Sequence, residues 1–152
     1  AEALNELTPG KSYTVERYNG ETMTVQRDVN EMRSAMKPIR MRAGVPDFDD
    51  VVYANQELFR TALKRERQIE LVGENCFRYY DLRRWKDALL EENQPLMGCN
   101  INISDDVTRV QEFYRPTVVA SMPKVFTQRM YLWPFPDKEM KRNVNLTQNP
   151  GW

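Results

Sequence analysis

Acid-base chemistry needs carboxylates that converge, and the candidates here are adjacent pairs: Asp49/Asp50, Glu91/Glu92 and Asp105/Asp106. Adjacent side chains diverge on a helix or strand, whereas glycoside hydrolysis needs two carboxyl groups from separate elements about 5–10 Å apart. None of the three pairs is read as catalytic. The chain has no histidine. That removes Ser-His-Asp and Cys-His constellations, the commonest zinc ligand, and the one side chain that titrates near neutrality unaided. Cys76 and Cys99 stand 23 residues apart and fit no CxxC, zinc-knuckle or redox-dithiol spacing. They read as unpaired thiols, with a disulfide the alternative in an oxidising compartment. Asn100 to Asp106 has the composition of a calcium loop, but its sixth place is not glycine, and Glu112 falls one place beyond the twelfth, Gln111. Gly-rich phosphate loops are absent. The residues therefore point to no enzyme, no metal site and no cofactor.

What the sequence has in surplus is aromatic and planar-polar surface: seven Tyr, six Phe and three Trp among many Arg, Asn and Gln. Such side chains suit sugar recognition, by ring contact and bidentate hydrogen bonds, or polypeptide recognition. They equally suit a helical core with amphipathic Tyr and Arg at its boundary. Twenty-two basic residues balance twenty-two acidic ones, so nothing favours nucleic acid or anionic lipid. No run of eighteen apolar residues could span a bilayer.

The elements that must position these side chains are mainly helical. Ala1 to Leu7 has helix-forming composition and stops at Thr8-Pro9-Gly10. Seven residues are too few to hold a helix alone, which leads to the expectation that the protein continues upstream. Residues 11–27 read as a β-hairpin insertion: Tyr13 and Val15 alternate with polar neighbours, Asn19-Gly20 is a turn dipeptide, and Met23 and Val25 resume the alternation. A helix capped by Asp28 should place Val29, Met32, Met36 and Ile39 on one face, kink or break at Pro38, and end at Gly44 before Pro46.

A second helix is expected from Tyr53 to Glu74, with Leu58, Ala62, Ile69 and Val72 on its inner face, and a third from Phe77 to Glu92 after a break at Gly73 to Asn75. Between residues 57 and 92, eight basic and eight acidic residues stand at helical spacings. The pairs are Arg67 with Glu70, Glu74 with Arg78, Asp81 with Arg84, and Arg83 with Asp87. Beyond Asn93 the pattern becomes irregular; Val125 to Trp133 could be extended, and Asp137 to Arg142 suits one or two helical turns. Trp152 is expected to pack into the body as a plug.

Four stretches together carry a resemblance. AEALNEL, IRMRAGVP, LFRTALKRERQIEL followed by FRYYDLRRWKDAL, and YLWPFPDKEMKRNVNLTQNPGW, in that order, are similar to the C-terminal part of the SusD/RagB family of Bacteroidetes surface lipoproteins. The likeness covers nearly all of the chain except residues 11–27 and about 93–120. Two departures stand out: VGENCF is one residue longer than the usual link between the RERQIEL and YYDLRRW helices, and Pro38 sits where a helix former is usual.

The resemblance implies a mainly α fold of tetratricopeptide-like helix pairs, with an irregular C-terminal region and the small β-hairpin as an insertion. Residues 1–152 would be the C-terminal portion of a single domain whose N-terminal remainder lies outside this chain. Ile69, Leu71, Tyr80 and Trp85 would be buried, and LWPFP with Trp152 would clasp the C-terminus to the helices. The implied role is capture of an oligosaccharide, or a peptide, for import through a SusC-like TonB-dependent transporter. The protein would be a surface-exposed outer-membrane lipoprotein whose lipidation site lies upstream. The alternative is a tetratricopeptide-like scaffold that binds only protein. No family motif assigns ligand contacts, so Tyr13 and Tyr18 are the candidates, because an insertion into a helical scaffold is where ligand loops belong.

Overall fold

The computed structural model describes residues 1–101, 109–119 and 124–152, and within them the chain divides into two units, Ala1–Glu74 and Asn75–Trp152. The architecture is mainly α, with small two-stranded sheets.

The first unit opens with a single turn, α1 (Glu2–Asn5), and then the hairpin β1 (Ser12–Glu16) and β2 (Thr22–Gln26). Register runs from Ser12 opposite Gln26 to Glu16 opposite Thr22, placing Tyr13 across from Val25 and Val15 across from Met23. The Gly20 N–H donates to the Arg17 carbonyl at 2.9 Å, the Arg17 N–H donates to the Glu21 carbonyl at 2.7 Å, and Gly20 has φ +82°. This is a three-residue loop whose last member takes the left-handed conformation, and the glycine of Asn19-Gly20 supplies it without steric cost.

Helix α2 (Val29–Arg42) is capped by Asp28, whose carboxylate accepts from the backbone N–H groups of Asn30 and Glu31. It does not break at Pro38. Ser34, whose carbonyl loses its intrahelical donor, and Pro38 itself are both exposed, so water can satisfy the orphaned carbonyl. The helix ends on Gly44 at φ +71°. Val45 N–H bonds to the Arg40 carbonyl and Gly44 N–H to that of Met41, the paired closure that a left-handed glycine permits.

The expected single helix from Tyr53 is two: α3 (Asp50–Ala54) and α4 (Gln56–Glu70). Asn55 between them is extended, and its side chain accepts from the N–H groups of Glu57 and Leu58. A residue able to cap can start a helix inside a periodic stretch, and here it does. The inward stripe of α4 is Phe59, Leu63 and Glu66 rather than Leu58, Ala62, Ile69 and Val72. At 100° per residue the expected face lies mostly about 60–100° around the helix from the real one, so Leu58, Ile69 and Val72 are exposed. Met32, Met36, Tyr53, Phe59 and Leu63 form the core of this unit, with Phe48 and Val52 packed against it. Its three aromatic rings lie 5.2–6.4 Å apart.

The second unit begins with α5 (Phe77–Arg84) and α6 (Ala88–Glu91), separated at Lys86, which has φ +63°. The Tyr131 hydroxyl spans the break, donating to the Lys86 carbonyl at 2.8 Å and accepting from the Leu89 N–H at 3.1 Å. A small bridge, β3 (Met97–Gly98) with β4 (Thr117–Val118), flanks α7 (Val110–Phe113). A side chain at Gly98 would sit 2.9 Å from Val119 Cγ2.

Val125 to Trp133 is not extended throughout: Gln128–Tyr131 forms a 3-10 turn started by Thr127. That turn brings Met130 and Tyr131 against the cluster of Leu82, Ala88 and Phe126. Helix α8 (Asp137–Arg142) matches its expected span, acidic at its start and basic at its end. Of the side chains expected to be buried on the RERQIEL and YYDLRRW helices, Leu71 and Trp85 are partly covered, while Ile69 and Tyr80 are exposed.

Trp152 is tied down without being buried. Its indole N–H donates to the carbonyls of Arg129 (3.2 Å) and Leu132 (3.0 Å), the Arg129 guanidinium lies 4.6 Å from the ring centroid, and 44% of the residue stays accessible. Gln148 brackets Phe135, accepting from its N–H and donating to its carbonyl, and Asn149 donates to the Trp133 carbonyl. The tail is therefore fastened to residues 129–135 by hydrogen bonds to backbone rather than clasped to the helices by buried rings.

Candidate functional site

Among the described residues many carboxylates pair with arginine or lysine. Asp50 pairs with Arg33, Glu66 with Arg40, and Glu70 with Arg42. Glu6 and Glu57 share Arg60, Glu91 takes Arg78, and Glu92 takes Lys124. The Arg60 hydrogen bond holds the Glu6 carboxyl below the usual glutamate range. Asp81 with Arg84 is an expected pair that forms, at 2.9 Å. Among the described residues, no three His, Cys, Asp or Glu side chains are grouped to hold a metal. Asp105/Asp106, and with them most of the calcium-like stretch, lie outside the described residues. Cys76 and Cys99 are exposed and free.

Tyr53 is fully buried, and burial together with its hydrogen bond to Asp47 Oδ1 at 2.8 Å pushes its hydroxyl up to about 12. The Arg33 guanidinium stands 4.7 Å from its ring centroid. Arg40 donates from Nη1 to Glu66 (2.6 Å) and from Nε to the Pro46 carbonyl (2.7 Å), and lies 4.0 Å from the Phe48 ring centroid. These groups fasten the loop between α2 and α3 to α4. Among the described residues Arg33 Nε is buried without a hydrogen-bond partner, 3.3 Å from Asp47 Oδ2 in an ion pair.

Among the described residues, two features are candidates for ligand contact. The first is a pocket of about 460 Å³ between α1, α2 and α4, floored by Met36, Ile39, Leu63 and Leu71 and rimmed by Arg42, Arg67 and Glu70. Its volume falls in the range of small-ligand sites. No aromatic ring lines it, so it lacks the flat apolar platform against which a sugar ring packs. One wall is legible in the sequence, since Met36 and Ile39 share a helical face; the facing wall is not, because the inner stripe of α4 lies off the phase its apolar residues suggest.

The second feature is the hairpin tip. Tyr18 is completely exposed and is flanked by Arg17 and Asn19. Arg17 is held by Met23 Sδ at 3.4 Å and by Glu21 at 3.8 Å. Asn19 Oδ1 accepts from the Glu21 N–H at 3.1 Å, leaving its Nδ2 without a protein partner among the described residues. A free phenol ring, a guanidinium and an amide therefore stand together in one short loop, the set that stacks on a sugar or peptide group and hydrogen-bonds around it.

Tyr13 is elsewhere: at the root of the hairpin it is partly covered, and its hydroxyl donates to Thr8 Oγ1 at 3.0 Å. The two tyrosines thus occupy opposite ends of the hairpin and do not form one site.

A model described as the SusD family matches residues 1–152. A SusD-like protein P2 of Formosa agariphila is 28% identical over 153 residues, covering 100% of this chain and 23% of that protein. The crystal structure of a SusD-like protein from Bacteroides fragilis superposes with a TM-score of 0.63 at 32% identity, over 82% of this chain and 22% of that one. A second solved structure, of a selenomethionine protein, gives a TM-score of 0.64 at 30% identity, over 82% of this chain and 21% of that one. The chain thus spans less than a quarter of the length of the relatives it matches.

Proposed function

The chain belongs to the SusD family, and from that premise we propose that it is the C-terminal portion of a non-enzymatic surface protein that captures an oligosaccharide, or a peptide, for import. The family match along the whole chain is the observation that carries this reading. In it, the ligand passes to a SusC-like TonB-dependent transporter, and the complete polypeptide is held at the outer membrane by a lipidated cysteine upstream of Ala1. Among the described residues no helix is long and apolar enough to cross a membrane, so attachment through a lipid agrees with the helices present. Within this portion the exposed ring of Tyr18 supports it as a ligand contact more than Tyr13, whose hydroxyl is engaged. Stacking on a single exposed ring contributes on the order of 1 kcal/mol, so Tyr18 would be one contact among several supplied by the complete protein.

The test is calorimetric titration of the complete protein with soluble neutral oligosaccharides and short peptides, together with co-purification of the transporter. Saturable binding of one ligand class without turnover supports capture. A protein that binds none of them yet associates stably with other polypeptides would be the scaffold instead.

A further inference from the structure

A two-stranded hairpin is marginal by itself in water, and here both strands are mostly exposed. Its order must come from its roots. On the incoming strand, Tyr13 bonds to Thr8, and the Lys11 ammonium lies 5.0 Å from the Tyr13 ring centroid. The outgoing strand leads to Arg27, between the end of β2 and the Asp28 cap of α2. Arg27 Nη2 donates to Asn5 Oδ1 at 2.9 Å and to the Tyr53 carbonyl at 2.7 Å, and its Nε donates to the same Asn5 oxygen at 3.3 Å. Asn5 is 1% exposed and extends the connection: its Nδ2 donates to the Gln56 carbonyl at 3.0 Å, and Gln56 Nε2 donates back to the Asn5 carbonyl. One guanidinium therefore joins the hairpin root, the end of α1 and the α3–α4 break. Three bonds in fixed directions require its planar fork, which an ammonium does not reproduce.

We infer that Arg27 is the positioning residue of the hairpin, holding the arm that carries Tyr18 in a fixed orientation on the first unit. The inference rests on the capture reading for its purpose alone: an aromatic on a rigid mount loses less freedom on meeting a ligand than one on a loose arm.

Hydrogen exchange on the complete protein, resolved for the hairpin, α2 and α4, tests the mount without any ligand. Arg27→Gln should speed exchange of the β1 and β2 amides tenfold or more beyond any change in α2 and α4, and Arg27→Lys should restore only part of the protection. Tyr13→Phe, which unpairs only the Thr8 hydroxyl, should loosen the same amides and leave both helices unchanged. Hairpin amides that exchange no faster in Arg27→Gln than in the wild type would overturn the inference. So would an equal loosening of hairpin and helices in that variant, because Arg27 would then serve the core and not the arm. Titration of wild type and Arg27→Gln with maltohexaose, xylohexaose and pentaalanine separates the two readings. Binding by the wild type that weakens several-fold in the variant supports both, and binding that is unchanged while the hairpin loosens removes Arg27's role toward the ligand. Failure of the wild type to bind any of the three counts against capture, and the exchange result still decides the mount.

Discussion

Removing Glu66 tests whether an ion pair organises the first unit. Its side chain is 11% exposed and that of Arg40 is 15% exposed, and their 2.6 Å contact joins α4 to α2. Breaking a buried pair from one side costs about 3–5 kcal/mol, because the remaining charge stays desolvated. Arg40 would keep the Pro46 carbonyl and the Phe48 ring as partners, which argues for the lower end. Glu66→Ala should therefore destabilise the unit by about 3 kcal/mol. Arg40→Met combined with Glu66→Leu should lose much less than the two single changes added together, since no charge is then left unpaired. The coupling energy in that double-mutant cycle should be about 2 kcal/mol. Native-state hydrogen exchange of the α2 and α4 amides through a urea series, on the complete protein, reads each value locally. A loss below about 1 kcal/mol for Glu66→Ala, with coupling near zero, would mean the pair behaves as a solvated surface bridge and the argument from burial is wrong.

Three further outcomes follow from the same packing. Pro38→Ala restores a donor to the Ser34 carbonyl on an exposed face and should stabilise α2 by about 1–2 kcal/mol, seen as a rise in urea midpoint; no change would show that the proline is already accommodated. Tyr53 favours its neutral form in the fold, with its hydroxyl near 12 instead of 10. Its contribution is therefore complete below pH 10 and is lost as pH rises toward 12, so Tyr53→Phe should lose less stability than the wild type over that interval in parallel alkaline unfolding curves. Asn93 donates to the Phe126 carbonyl at 2.9 Å and accepts from the Phe126 N–H at 2.8 Å. Asn93→Leu leaves both backbone groups unpaired and should cost about 2 kcal/mol, measured as faster exchange of the Phe126 amide and a lower melting temperature of the second unit.

Local chemistry explains which elements could be read from the sequence. Asp28, Asn19-Gly20, Gly44 and the acidic-to-basic gradient of Asp137 to Arg142 each act on their own few residues of backbone, and each lies where its type implied. The family followed from motif order, because RERQIEL, YYDLRRW, LWPFP and NPGW in sequence are a long and specific match. Function was legible only at that level. Of the two hairpin tyrosines the sequence could not separate one from the other, since a two-residue period and an exposed turn suit both.

What the sequence determined by itself was therefore the set of helices and turns whose signals are local, the lack of histidine, and the membership of a family. What tertiary structure decided was phase and commitment. Asn55 could have remained inside a helix or capped a new one, and the core of Phe59, Leu63 and Tyr53 selected the cap. Glu66 is charged, yet it points inward because Arg40, twenty-six residues earlier, supplies the opposite charge there. Arg27 gains its place only when Asn5 and Tyr53 converge on it. Period and composition are properties of neighbours along the chain. The partner that makes a buried charge or a fixed hairpin favourable comes from residues distant in sequence, and only the folded chain brings it within a hydrogen bond's reach.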